Sequence, residues 1–240
     1  MITTPACITK HMPHKIIHSI PMHKIPYTVA YAYNPTDVAA HALRGNANAH
    51  SWLRWNIEKD GSFIHAYEPP YYNLKSPWTS AVSQALATLA FIQEGRIDLA
   101  EKAIGFMLDK HTSCGIIYEK GGVLILNGWL YGLYAMNKLY DVKPSGWLIK
   151  SIQNCSSKLT ALFPEYVMSN GWSRYDETGI PATEFYHHVH KELLMKLGFD
   201  DEFDMIKYAK FPMISRNFHL LAKHGYKLPY IFWRRNKWLR

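Results

Sequence analysis

The chain has 240 residues, 48% hydrophobic and 19% charged, so it can bury a sizeable core and most of it is not intrinsically disordered. No apolar run approaches the roughly 20 residues of a membrane-spanning helix, no secretory leader is recognisable and the three cysteines form no Cys-x-x-Cys pair, so we expect a cytoplasmic protein without disulfides or a thiolate zinc site. The net charge of +8 lies at the two ends, with nine basic residues and no acid in 205–240, and no nucleic-acid-binding signature accompanies it, so we expect no nucleic acid partner.

Helical periodicity recurs along the chain in pairs of segments. In chain order, the predicted helices cover 34–43 and 47–55, 78–94 and 98–109, 126–140 and 147–163, and 184–197 and 201–210. The clearest is 78–94, for which Ser76 is the expected N-cap, Pro77 the first helical residue and Gly95 the terminator. Because only a few residues join the members of a pair, each pair is expected to pack antiparallel as a helical hairpin.

Strict two-residue alternation is nearly absent, apart from short pieces around 63–66, 116–117 and 123–125. The predicted fold class is therefore all-α, with four hairpins that bury their inner faces as a solenoid or a short or incomplete (α/α) toroid. The links between hairpins emerge at one end and run to roughly 15–20 residues, a length more typical of functional loops than of plain connectors. They carry aromatic and charged residues that predict a tyrosine-rich cleft: Tyr67, Tyr71, Tyr72, Tyr118, Glu119, Trp172, Arg174 and Tyr175, with Tyr186 at the start of the next helix.

Several spaced motifs make the sequence recognisable. They are residues 71–81, which include Ser76-Pro77-Trp78; residues 126–133, which begin Leu126-Asn127-Gly128-Trp129; Arg174-Tyr175-Asp176; and Tyr186-His187-His188-Val189-His190. In this order they resemble the catalytic domain of D-glucuronyl C5-epimerases, over about Tyr33 to Phe211. The resemblance divides the chain into an N-terminal arm (1–32), an (α/α) toroid catalytic domain (33–211) and a basic, aromatic C-terminal extension (212–240). It implies a cofactor-independent isomerase that converts D-glucuronate to L-iduronate units in heparosan or a related heparan polymer.

The same resemblance assigns roles to individual residues. Tyr175 and Tyr186 match two catalytic tyrosines of the family, and Tyr118 with Glu119 is the nearest equivalent of a third, acidic tyrosine motif, although Gly121-Gly122 stands where the family has further acidic residues. Thr178 stands where the family tends to place an Arg. The expected substrate-binding residues are Arg174, His187, His190, Tyr71, Tyr72, Trp78, Asn127 and Trp172.

The chemistry explains why such residues are needed. The C5 proton of a uronate lies α to a carboxylate, so its removal requires that the carboxylate charge be neutralised, for which Arg174, His187 or a protonated Glu119 is suitable. Inversion then needs a base on one face of the sugar and an acid on the other. Because the pKa of a free tyrosine is about 10, the tyrosine that acts as base needs a nearby cation, such as Arg174 beside Tyr175 or His187 beside Tyr186.

Structural interpretations compete with these roles. A tyrosine is most often a packing residue, Trp78 can belong to the core, and Asn127-Gly128 can mark a close helix contact. His187 and His190 have a spacing that metal sites use, but no third ligand of suitable spacing accompanies them, so we expect no metal and favour hydrogen bonding or packing.

Two alternative functions and several partners stay open. A uronate lyase removes the same C5 proton and then expels the C4 oxygen, and an inactive carbohydrate-binding or scaffold protein would fit Gly121-Gly122 and the lack of the β-rich domain that animal members carry before the toroid. The aromatic and basic tail 231–240 suits an anionic polysaccharide, a membrane surface near a glycosyltransferase, or a partner protein. A homodimer is a further expectation.

Overall fold

The computed structural model describes residues 20–24, 31–68, 74–119, 122–169 and 171–199. Within these ranges the chain forms seven α-helices: α1 (Pro35–Leu43), α2 (Ala47–Asn56), α3 (Ala81–Gln93), α4 (Ile97–Lys110), α5 (Leu126–Val142), α6 (Gly146–Leu162) and α7 (Glu184–Lys196). A 3₁₀ turn, Phe163–Tyr166, follows α6. Two short antiparallel pairs complete the secondary structure: β1 (Met22–Lys24) with β2 (Tyr31–Tyr33), and β3 (Thr112–Ser113) with β4 (Ile116–Ile117).

The helical fold class predicted from periodicity is confirmed, and no helix of the described ranges is long and apolar enough to span a bilayer. The strand predicted at 116–117 is present as β4. The predicted helix 201–210, most of the arm 1–32 and the extension 212–240 lie outside the described residues.

The helices are arranged as hairpins in a row. Helices α1, α3, α5 and α7 pack side by side in that order, and α2, α4 and α6 each pack against the helix that precedes them. The starts of α1 and α3 meet, since the hydroxyls of Thr36 and Ser83 are 2.6 Å apart, and Glu119, just before α5, bonds to the first turn of α3. The loops that lead into the odd-numbered helices therefore lie on one side of the row, where those helices begin.

Helix α3 is the centre of the core, because nine of its 13 residues are buried. It packs against α1, α4 and α5. Its small side chains, including the fully buried Ala85, Ala87 and Ala90, let three helices approach it closely, and Phe91 fills the space that remains.

The predicted start of α3 at Trp78 is wrong, although its predicted end is confirmed. Trp78 pairs antiparallel with His65, exchanging both backbone hydrogen bonds (2.8 and 3.2 Å), so its backbone groups are not available to a helix. The helix begins three residues later, where the Ser80 hydroxyl accepts the N–H of Ser83 as the N-cap. Gly95 follows the helix with φ of +73°, the left-handed conformation that favours glycine.

Candidate functional site

Two loops on the side where the odd-numbered helices begin, 111–125 and 167–183, are joined into one unit by backbone hydrogen bonds. The N–H of Leu126 donates to the carbonyl of Tyr175 (3.0 Å), and the N–H of Glu177 donates to that of Leu124 (3.1 Å). Ile125 and Asp176 form an isolated antiparallel bridge between them. The segment that carries Tyr118 and the segment that carries Tyr175 are thus linked directly before α5 begins.

The structure brings Tyr175 and Tyr186 together. Their ring centroids are 4.8 Å apart and the planes are tilted by 58°, and both residues are half-buried. Tyr186 lies in the first turn of α7, where its N–H donates to the capping hydroxyl of Thr183 (3.4 Å). The ring of Phe185 meets that of Tyr186 edge-on at 5.2 Å and is 68% exposed. The result is a group of three neighbouring rings that ends at the surface.

A buried polar network lies directly behind this pair. The hydroxyl of Ser173 is 3.0 Å from Nδ1 of His187 and 2.9 Å from Nδ1 of His190, and the backbone N–H of Ser173 also donates to Nδ1 of His187 (3.2 Å). The ring of Trp172 stacks on His187 at 3.8 Å, and its Nε1–H donates to the carbonyl of Ala182 (2.8 Å). The network therefore ties the loop before Tyr175 to the helix that carries Tyr186.

The network disfavours the charged form of both histidines. Burial, together with the positive charge that His187 carries when protonated, lowers the pKa of His190 from 6.5 to about 3. His187 accepts a backbone hydrogen bond at Nδ1, which an imidazolium cannot do, so this contact disfavours the cationic role predicted for it. In the part of the chain that the structure describes, no three His, Cys, Asp or Glu side chains are arranged to hold a metal ion.

Glu119 anchors its loop to the start of α3. Its two carboxylate oxygens accept the N–H groups of Ala81 (3.1 Å) and Val82 (3.0 Å), donors that a helix start otherwise leaves unpaired. Burial raises the pKa of Glu119 and these hydrogen bonds oppose that shift. Gly128 makes room for the carboxylate, because a Cβ at this position would lie 3.1 Å from its Oε1. A Cβ at Gly132 would likewise lie 2.7 Å from the side chain of Ile117, which explains both glycines of the α5 motif.

Tyr118 is held through its backbone. Its N–H donates to the carbonyl of His111 (2.9 Å), and Nδ1 of His111 donates to the carbonyl of Tyr118 (3.2 Å). The other ring nitrogen of His111 is 2.9 Å from the hydroxyl of Thr79, just before α3. The loop before α5 is thereby fixed to the start of α3 at two successive residues.

The remaining predicted site residues have varied surroundings. Arg174 donates from Nη1 to the carbonyl of Glu165 (3.0 Å). Asn127 is buried, and its Oδ1 has no hydrogen-bond partner among the described residues. Trp78 is half-buried, stacks on His65 at 3.8 Å and donates to the carbonyl of Tyr67 (2.7 Å). Tyr71 and Tyr72 lie outside the described residues.

Two residues of this region were not identified from the sequence. Ser173 stands inside the recognised segment, between Trp172 and Arg174, and a serine there carries no signal of its own until the fold places it against α7. Phe185 could have been found, because an aromatic residue in the first turn of a helix next to a candidate tyrosine is a natural neighbour of a site.

The fold and site together define a mostly helical protein in which the loops between hairpins bring a phenol pair next to a buried histidine network. Residues 116–210 match the family model described as the D-glucuronyl C5-epimerase C-terminus. This match confirms the predicted resemblance over residues 116–210, which include Tyr118, Tyr175 and Tyr186, and indicates an isomerase-type enzyme; it does not cover the 71–81 motif. A search of curated proteins found no match.

Proposed function

We propose that this protein is a uronate C5-epimerase that converts D-glucuronate to L-iduronate units in a heparosan-like polymer. The observation that carries the proposal is the contact between Tyr175 and Tyr186, which come from different segments of the region that matches the epimerase family. A reaction that exchanges one proton for another at a single carbon needs two proton-transfer groups within reach of that carbon, and these two phenols are suitable in type and placement.

The reaction balances without any further reactant. One tyrosine, as phenolate, takes the C5 proton, and the electron pair of the broken C–H bond is delocalised into the carboxylate. A second group returns a proton to the opposite face of C5, which inverts the centre. Since the two rings are in contact, a pyranose fits between them only when the two side chains rotate apart, and we propose that the sugar then has one phenol hydroxyl on each face of C5.

The developing charge on the sugar carboxylate needs hydrogen-bond donors. Of the three groups that the sequence offers, His187 accepts a backbone hydrogen bond that disfavours its cationic form, and Glu119 is engaged at the start of α3. A guanidinium has five N–H donors, and the contact of Arg174 with Glu165 uses one nitrogen. We therefore assign carboxylate binding to Arg174.

The wider setting follows from charge and fold. A basic, aromatic extension at 212–240 suits an anionic polysaccharide, and a polymer-modifying enzyme has reason to work beside the glycosyltransferase that makes the chain, at a membrane surface in the cytoplasm. The row of hairpins is the arrangement from which an (α/α) toroid is built, and we propose that shape and a homodimer for the full chain.

The direct test is proton exchange at C5. Heparosan is incubated with the protein in deuterated water, and the product is examined by NMR and by ultraviolet absorbance. We expect deuterium at C5 together with iduronate signals. An unsaturated uronate, which absorbs in the ultraviolet, would instead show a lyase, and the absence of both signals would favour a binding or scaffold protein.

A further inference from the structure

We infer that Ser173 is a positioning residue for the reaction proposed above: it sets the tautomers of His187 and His190 and holds the two tyrosine-bearing segments together. The inference rests on the proposed function for its kinetic part only. Ser173 and His190 are fully buried and His187 is 4% exposed, so solvent does not compete for their hydrogen bonds.

The hydrogen bonds define the tautomers by elimination. The backbone N–H of Ser173 points at Nδ1 of His187, so this nitrogen is an acceptor and the proton of the neutral ring is on Nε2. The Ser173 hydroxyl is 3.0 Å from the same nitrogen, and we assign its proton to this contact, because donation to His190 instead would leave a buried Nε2–H of His190 without an acceptor among the described residues. A serine hydroxyl has a single proton, so the contact with His190 (2.9 Å) requires that Nδ1 of His190 donate to the serine oxygen.

The two histidines are therefore opposite tautomers that share one serine. His187 carries its proton on Nε2, whereas His190 carries it on Nδ1. Nε2 of His190 is left with a bare lone pair, buried and without a partner among the described residues. His190 thus has one hydrogen bond, to Ser173, and depends on it for its orientation.

The placement of Ser173 connects this network to the phenol pair. It lies two residues before Tyr175, and His187 follows Tyr186 directly. The carbonyl of Ser173 also accepts the N–H of Ala182 (2.9 Å), close to the start of α7. A displacement of α7 relative to the loop would separate the two phenols, and the serine hydroxyl is the group that bonds His187 and His190 of α7 to that loop.

The test compares Ser173→Ala with Ser173→Thr, which keeps a hydroxyl, and with Ser151→Ala as a matched control on an exposed helix face. Imidazole ¹⁵N shifts report the tautomers in the full chain, and a His190→Gln variant assigns the signal. We expect wild-type His190 as the Nδ1–H form, which is the minor form in water, and His187 as the Nε2–H form. In Ser173→Ala, His190 should lose the Nδ1–H form, while His187 keeps its own because the backbone N–H remains.

Kinetics and ring contacts complete the test. For C5 exchange, Ser173→Ala should lower kcat by about 10-fold or more with KM changed by less than about twofold, and Ser173→Thr should recover most of kcat. The nuclear Overhauser contact between the rings of Tyr175 and Tyr186 should weaken in Ser173→Ala and stay in Ser151→Ala.

Wild-type His190 as the Nε2–H form, or unchanged ring contacts and kcat in Ser173→Ala, would overturn the inference. If the wild type exchanges no proton on any uronate polymer, the proposed function fails, whereas the tautomers and the ring contact, which need no substrate, still decide the role of Ser173.

Discussion

The starts of α3 and α7 contain two similar aromatic and polar clusters. At α3, His65 stacks on Trp78 with ring centroids 3.8 Å apart, and its Nε2 is 2.8 Å from the buried hydroxyl of Ser83. Trp78 donates from Nε1 to the carbonyl of Tyr67. The same serine also contacts Thr36 at the start of α1, so the cluster joins two helix starts and a loop.

At α7 the same parts recur in a different setting. His187 stacks on Trp172 with the same 3.8 Å separation, its Nδ1 contacts the buried hydroxyl of Ser173, and Trp172 donates to the carbonyl of Ala182. Here the second partner of the serine is another histidine, His190, instead of a threonine on a neighbouring helix.

The comparison indicates that the cluster of tryptophan, histidine and serine holds a loop against a helix start. The candidate catalytic groups are the neighbouring tyrosines that accompany the α7 cluster. A tryptophan, a histidine and a serine satisfy one another's polar groups while burying two flat rings, which suits a loop that must be held against a helix start. The phenol pair of Tyr175 and Tyr186 accompanies the α7 cluster, whereas Tyr67 in the α3 cluster is buried against His65.

The largest effect is expected from removing the phenols. Tyr175→Phe and Tyr186→Phe should each lower C5 exchange by at least about 100-fold, because a proton-transfer group is lost while the ring and its packing stay. Tyr67→Phe is the matched control from the α3 cluster and should keep nearly the wild-type rate. Exchange rates by NMR, with thermal melts to show that all three variants fold, make the measurement. Wild-type rates in both site variants, or an equal loss in Tyr67→Phe, would remove the distinction between the clusters.

Glu119 should show the next largest effect, on stability. Glu119→Ala leaves the N–H groups of Ala81 and Val82 without their acceptor, and we expect the free energy of unfolding to fall by about 2–3 kcal/mol. Glu119→Gln retains one acceptor oxygen and should lose about half as much. Denaturant titrations give both values, and Thr183→Ala, which removes the cap of α7, provides a reference of about 1 kcal/mol. An alanine variant as stable as wild type would show that the carboxylate does not fasten the loop.

A pH titration of stability compares the clusters through one buried histidine of each. Burial lowers the pKa of His65, with the charges of His23 and His111 adding to it, and the pKa values of His65 and His190 are both about 3 in the folded protein. Between about pH 3 and 6.5 the unfolded chain binds protons that the folded protein excludes. This contribution to stability is complete above pH 6.5, and it falls by up to about 1.4 kcal/mol per histidine for each pH unit toward 3.

Single variants separate the two contributions. His65→Gln and His190→Gln should each reduce the slope of unfolding free energy against pH by up to about 1.4 kcal/mol per pH unit, the value for one bound proton. The raised pKa of Glu119 acts in the opposite direction, since that contribution is lost as pH rises through the folded value, and the difference between each variant and wild type cancels it. A slope that neither variant changes would contradict the burial of both rings.

The smallest effect is expected at Phe185, which has no counterpart among the described residues of the α3 cluster. Its exposed ring continues the surface of Tyr186, and the apolar face of a neighbouring sugar unit can stack on it. Phe185→Ala should raise KM for the polymer severalfold with little change in kcat, and Phe185→Trp should restore KM. Trp55→Ala, which removes an exposed ring from α2, should leave both constants unchanged. A fall in kcat at constant KM in Phe185→Ala would place this ring elsewhere in the reaction.

Local signals in the sequence were enough for the helices and for the phenol pair. Asn34 and Asn46 cap α1 and α2 within one residue of the predicted starts, because capping and periodicity depend on neighbours along the chain. Tyr175 and Tyr186 were found through motif resemblance. Long-range pairing was not accessible: the bridge between Trp78 and His65 displaced the start of α3, and Ser173 acquires its role from residues 14 and 17 positions away.

The backbone pairing of 124–126 with 175–177 joins these two loops into a single structural unit. Glu119 attaches the first loop to α3 by hydrogen bonds, and Ser173 attaches the second loop to α7. A polymer that binds against Tyr175 therefore contacts a unit that is held by both α3 and α7. Space for an incoming sugar is therefore expected from rotation of side chains or from the opposite side of the predicted cleft, while the backbone of the two paired loops stays in place.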